Sequence, residues 1–223
     1  MEQSQHYDDE SCYRASEVDQ EKKVLQASER KEEERQQWKD KAKKLDRRKF
    51  VFLDESGSNI ALTRVYARAP KGKRAYGSIP RNRGKNMTVI ASLTLEGIGE
   101  ALILDGAANT EFFEIYVEQI LLPSLEPGQI VIMDNASIHK GKKVQHLIEA
   151  RNCQVLFLPA YSPDFSPIEE AFSKIKSVLR QKGARTREAL QEALEYALTT
   201  VAATDARGWF SHCGYLPAAP AEL

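Results

Sequence analysis

Short runs dominated by apolar residues, each stopped by acidic or turn-forming residues, set the texture of this chain. Phe50-Val51-Phe52-Leu53 ends at Asp54-Glu55-Ser56-Gly57, and Ile130-Val131-Ile132-Met133 ends at Asp134-Asn135. Val155-Leu156-Phe157-Leu158 runs into a proline-rich turn, and the stretch from Met87 to Leu95 closes on Glu96-Gly97. Runs this short, with abrupt ends, predict buried strands. A further strand is expected from Leu62 to Tyr66, and Leu102-Ile103-Leu104 reads as a continuation or a fourth strand. Apolar positions three and four apart predict helices elsewhere. One is capped by Asn109 or Thr110 and runs to about Leu122; others span roughly Lys142–Arg151, Ile168–Arg180 and Thr186–Val201.

Strands come first as a group of three, then alternate with helices. The first group suits an antiparallel meander, and the later alternation suits parallel additions to the same sheet. The expected architecture is an α/β fold: a mixed five-stranded sheet, three antiparallel strands plus parallel additions, flanked by helices. Ahead of it, residues 1–20 have little apolar content and read as a weakly ordered lead. Residues 21–48 form a charged helical segment rich in Glu, Lys, Arg and Gln, with Trp38, Ala42 and Leu45 as a narrow docking stripe on an otherwise solvated helix. The folded domain is expected over 49–215, followed by a tail at 216–223. In that last stretch Trp209–Tyr215 (WFSHCGY) reads as aromatic packing.

Composition narrows the function classes. With 223 residues the chain can bury a full core. No apolar run approaches the roughly 18 residues of a membrane span, and no signal sequence opens the chain, so a cytoplasmic location is expected. Cys12, Cys153 and Cys213 are scattered and odd in number, which argues against a disulfide framework or a zinc cage. Net charge is zero, yet its distribution is uneven: Ser56 to Leu95 holds no acidic residue and eight basic ones, among them Arg81, Arg83 and Lys85. For a polyanionic partner, local sign counts for more than the total.

Three acids stand where chemistry would use them. Asp54 and Asp134 each end a buried strand, and Glu169 opens a helix behind a stiff loop containing Pro163 and Pro167. Taken singly, each could be a turn or cap residue. Together, three carboxylates suit hard divalent cations such as Mg²⁺, which prefer oxygen ligands. Two ions about 3.5–4 Å apart can activate a nucleophile and stabilise the leaving oxygen of a phosphoryl transfer. Asp54 is the candidate bridge, with Asp134 and Glu169 each holding one ion.

The words around these acids, VFLDESG (51–57), RNRGKN (81–86), IVIMDNASIHK (130–140) and LPAYSPDFSPIEEAFSKIK (158–176), resemble the DDE transposases of the mariner-like superfamily, in particular the bacterial insertion-sequence branch. The 34 residues between Asp134 and Glu169 match the superfamily's spacing. The resemblance covers about residues 25–214. It implies an RNase H-like fold, Mg²⁺ or Mn²⁺ dependence, and cleavage and strand transfer at transposon ends. By matching positions it makes Asp54, Asp134 and Glu169 catalytic, with Asn135 and His139 lining the site and Glu55 a support residue. Arg81, Arg83, Lys85, Lys140 and Lys174 are the candidates for DNA phosphates. Implied partners are transposon-end and target DNA, further copies of the chain, and an upstream helix-turn-helix domain or chain. Family members carry that module before the catalytic core, and the residues ahead of Lys49 are too few for it. The expectation is thus a catalytic domain without its end-recognition module, acting at the bacterial nucleoid. The alternative is a non-catalytic remnant that binds DNA or oligomerises with full-length transposase.

Overall fold

The structure, a computed structural model, describes residues 27–64 and 66–216. The lead at 1–20, the start of the charged segment, Cys12 and residues 217–223 of the tail lie outside the described residues. The apolar run at Phe50 continues past its acids as strand β1 (Phe50–Ser58). β2 (Met87–Thr94) and β3 (Gly97–Asp105) follow, then β4 (Ile130–Met133) and β5 (Gln154–Phe157). Their order in the sheet is β3-β2-β1-β4-β5. β1 with β2 and β2 with β3 are antiparallel, whereas β4 joins β1 and β5 joins β4 in parallel. The mixed five-stranded sheet is as expected, although its third antiparallel strand differs.

That strand is β3. The segment 62–66 forms none among its described residues. Instead the Arg185 guanidinium donates to the carbonyls of Ile60 and Leu62, 2.9 Å each. A side chain from the far end of the fold thus satisfies backbone acceptors that a strand would have paired. The hairpin into β3 turns on Gly97, whose φ of +115° disfavours any residue with a Cβ.

Both faces of the central strands are covered, which is why they read as unbroken apolar runs. Phe50, Phe52, Ile130 and Ile132 face one core; Val51, Leu53, Val131 and Met133 face the other. The first core is closed by α5 (Pro167–Lys182), α6 (Arg187–Thr199), α7 (Ala203–His212) and by Trp38 and Ala42 of α1 (Glu32–Lys43). α7 is not among the expected helices; its Phe210 stacks edge-on against Phe52, with centroids 5.3 Å apart. The second core is closed by α4 (Lys142–Ala150) and by a continuous helical run made of α2 (Thr110–Tyr116), a π-helical turn (Val117–Leu121) and α3 (Leu122–Ser124). Pro123 explains the wide turn, because its ring and missing N–H disrupt the ordinary i→i−4 ladder. Asn109 caps α2 by accepting from the Phe112 N–H.

α1 departs from a wholly solvated charged helix. Arg35 is only 2% exposed, buried along with the expected Trp38 and Ala42.

Candidate active site

The sheet register delivers two acids side by side. Leu53 pairs with Met133 across the parallel β1–β4 ladder, so Asp54 and Asp134 are the next residues on adjacent strands. Side chains alternate along a strand. Asp54 therefore shares the face of Phe50 and Phe52, and Asp134 that of Ile130 and Ile132, the side on which α5 packs. Glu55 takes the opposite face.

The third acid comes from the start of α5. Pro167 at the first helical position and Gly183 in the left-handed C-cap, with φ 61°, fix the ends of this helix. Its buried positions Ile168, Ala171, Phe172, Ile175 and Leu179 recur every three or four residues and face the first core, leaving Glu169 exposed in the first turn. A cavity of about 460 Å³ brings together Asp54, Asp134 and Glu169, with Asn135, Lys140 and Tyr161 also on its wall.

Electrostatics separate the acids. Burial, and then the negative charges of Glu169, Glu55 and Asp134, push Asp54 up to about 7, despite the N–H of Glu55 donating to it at 2.8 Å. Burial pulls Asp134 in the same direction, but hydrogen bonds from His139 and from the Ala136 N–H outweigh it and leave its carboxyl below the ordinary value. Lys140 is the one basic residue on the cavity wall among the described residues. Carboxylates crowded this closely, with an all-oxygen set facing the cavity, fit a hard divalent cation, whose charge would return Asp54 to its ionised form.

His139 does not reach the cavity wall. It is fully buried, its ring stacked on Phe113 at 4.6 Å, with Nδ1 2.6 Å from Asp134 Oδ1 and Nε2 2.9 Å from Glu55 Oε2. Burial alone would lower its basicity, but the two carboxylates overcome this and raise it to about 10, so both ring nitrogens carry protons and donate. One ligand atom each from Asp54, Glu55 and His139 lies within 4.8 Å of the others. With both imidazole nitrogens taken by carboxylates, His139 serves better as a brace than as a metal ligand.

The basic candidates divide. Arg81, Arg83 and Lys85 are exposed on the long segment between β1 and β2, which also presents Tyr66 and Tyr76 at 90% and 91% exposure. Lys140 is exposed at the cavity. Lys174 is held by Asp205 of α7 at 2.5 Å, which ties its charge to the fold. The Glu55–His139–Asp134 chain escaped sequence reading because no spacing links residue 55 to residue 139; only the alternation of β1 pointed Glu55 away from Asp54.

A mixed sheet in this order, with helices on both faces, one acid midway along β1 and another just past the end of its parallel neighbour β4, defines the RNase H-like class of folds. The chain belongs to the DDE superfamily endonucleases, whose sequence model matches residues 49–191. It is similar in fold to the pre-cleavage Mos1 transpososome, with TM-score 0.68 and 18% identity over 88% of this chain and 64% of that one. It is also similar to the Mos1 mariner paired-end complex with Mn, at TM-score 0.67 and 17% identity over 89% of this chain and 65% of the other. The catalytic domain of Mos1 mariner transposase superposes at TM-score 0.57 and 16% identity, covering 82% of this chain and 86% of that domain. The chain thus spans less than two thirds of the Mos1 chains in these two DNA assemblies. No curated protein sequence matches it significantly.

Proposed function

We propose that this chain supplies the catalytic domain of a transposase, cleaving and joining DNA at transposon ends with two divalent ions held by Asp54, Asp134 and Glu169. The observation that carries the reading is the convergence of these three acids on one cavity within a DDE-family fold. Mos1 structures contain transposon ends paired in complexes with Mn or Mg, which supports DNA ends and Mg²⁺ or Mn²⁺ as partners here, and assembly of more than one copy when active. An upstream helix-turn-helix chain or domain would select the ends. When bound, the ions supply Lewis-acid activation of the attacking oxygen and charge stabilisation on the leaving one.

The chain's own residues provide the setting. Asp54, the most buried of the three, would hold the ions together with Asp134 and Glu169, which reach in from a strand end and a helix start. His139 fixes the rotamer of Asp134, and Asn135 offers a neutral polar contact on the wall. Lys140 is placed to hold a phosphate at the rim, and Arg81, Arg83 and Lys85 to track the backbone further away.

Asp54→Asn, Asp134→Asn and Glu169→Gln should each abolish Mg²⁺-dependent cleavage of DNA carrying the element's ends. The loss should exceed the roughly 10–100-fold typical of groups behind metal ligands. Circular dichroism should show the fold intact. Unchanged cleavage in any one variant removes that residue from the site; no cleavage by the unaltered chain joined to an end-binding module favours the non-catalytic remnant.

A further inference from the structure

α1 is tied to the loop that delivers the third acid. The Arg35 guanidinium donates in bidentate fashion to Asp164, Nη1 to Oδ1 at 2.9 Å and Nη2 to Oδ2 at 2.6 Å. The same guanidinium stacks over the Phe165 ring at 4.0 Å. Arg35 is buried, although it belongs to a run of charged residues that would be solvated by default. Asp164 and Phe165 belong to the short 3-10 turn Pro163–Phe165, which ends two residues before α5 begins and four before Glu169.

A second tether meets the first from the C-terminal side. Trp38 Nε1 of α1 donates to the Tyr215 hydroxyl at 3.2 Å, and that hydroxyl donates to the Phe165 carbonyl at 2.6 Å. Two segments remote in sequence thus grip the same three-residue turn. Ser162, Pro163 and Ser166, on and beside that turn, line the cavity with the three acids. Two backbone hydrogen bonds close the turn on itself, from the Phe165 N–H to the Ser162 carbonyl at 3.0 Å and from the Ser166 N–H to the Pro163 carbonyl at 2.9 Å, and the two tethers anchor it to the rest of the fold. Planar bidentate pairing and ring stacking constrain orientation as well as distance, which a Lys in the same place could not do.

We propose that Arg35 is a positioning residue for Glu169, acting through Asp164 and Phe165, so that α1 belongs to the catalytic apparatus and does not merely precede it. The proposal deepens the metal-dependent reading and rests on it for its functional consequence. It also makes a claim about the loop itself that needs no metal. A displacement of the α5 start moves one carboxylate of the set relative to Asp54 and Asp134, and metal sites and in-line chemistry are sensitive to shifts of about 1 Å.

The test uses Asp164→Asn, which keeps shape and size, Arg35→Lys, which keeps the charge but loses the planar fork, and Tyr215→Phe, which removes only the second tether. Each is compared with Ile148→Val, a core change on the opposite face of the sheet. Two quantities are read on folded protein: amide hydrogen exchange over residues 159–170, and Mn²⁺ affinity by electron paramagnetic resonance. We expect exchange in that segment to quicken about tenfold or more in Asp164→Asn and Arg35→Lys, and Mn²⁺ affinity to fall about tenfold, the lower end for groups that orient ligands. Tyr215→Phe should show the same changes to a smaller degree, and Ile148→Val neither. Unchanged exchange over 159–170 in Asp164→Asn and Arg35→Lys overturns the proposal whatever the metal does. Quickened exchange with no Mn²⁺ binding even by the unaltered chain sustains the loop tether and overturns the metal reading. Quickened exchange with full Mn²⁺ affinity overturns the positioning role.

Discussion

His139 shows how a single residue acquires a role from its neighbours. An imidazole with both nitrogens protonated sits between two carboxylates, one facing the cavity and one on the far side of the sheet. It neutralises charge that would otherwise accumulate behind Asp134 and fixes which oxygen of that acid is left for the cavity. His139→Ala removes both donors and leaves Glu55 and Asp134 facing each other across a hole. Unfolding in urea should show a loss of about 1–3 kcal/mol, the usual penalty for stranded buried polar groups. Cleavage should fall about 10–100-fold, because the group that orients Asp134 is gone. Full activity in a stable His139→Ala protein would sink the bracing role. Glu55 is legible as an acid beside an acid, but its separation from the cavity follows only from the pleat of β1.

Among the elements, α1 departs from its sequence pattern at Arg35. Its stripe of Trp38 and Ala42 is readable at i and i+4, and both residues bury as that stripe requires. Arg35 falls three residues before Trp38, on the same face, so the helix repeat carries it into the core. Its charge is tolerated there because Asp164 meets it. For Asp164, burial pushes the carboxyl up, but the Arg35 hydrogen bonds win and hold it below the ordinary aspartate value of 3.8. A depressed value means that the stabilisation is present above 3.8 and disappears as pH falls through the folded-state value. Asp164→Asn should therefore lose about 1–2 kcal/mol at pH 7, less than the about 3–5 kcal/mol of a fully buried pair because water reaches Asp164. The gap between the two proteins should narrow as pH falls below 3.8 through the folded-state value, as judged by urea unfolding at pH 7 and across that acid range. A gap that persists at low pH would assign the effect to shape and not to charge.

At the scale of the whole molecule, charge is sorted by position. The acid-free segment between β1 and β2 projects its arginines, lysines and two tyrosines into solvent, while acids gather at the cavity and on the outer helices. If this segment tracks DNA phosphates, replacing Arg81, Arg83 and Lys85 together by Ala should weaken DNA binding uniformly across sequences. The slope of log affinity against log salt should fall by about one for each phosphate that is no longer neutralised. An unchanged slope would mean that these side chains stay in water. Lys174, equally basic in sequence, should contribute no such change, because Asp205 already holds it. The sequence alone determined the buried strands around the two aspartates and the mixed five-stranded sheet flanked by helices, since buried apolar runs are local patterns written in consecutive residues. Tertiary structure decided the rest. It placed Arg185 on the carbonyls where a strand was expected, turned Glu55 toward His139, packed Phe210 of α7 against Phe52, and brought Arg35 across the chain to Asp164. Each of these joins residues far apart in sequence, and no local pattern records which distant partner a side chain will meet.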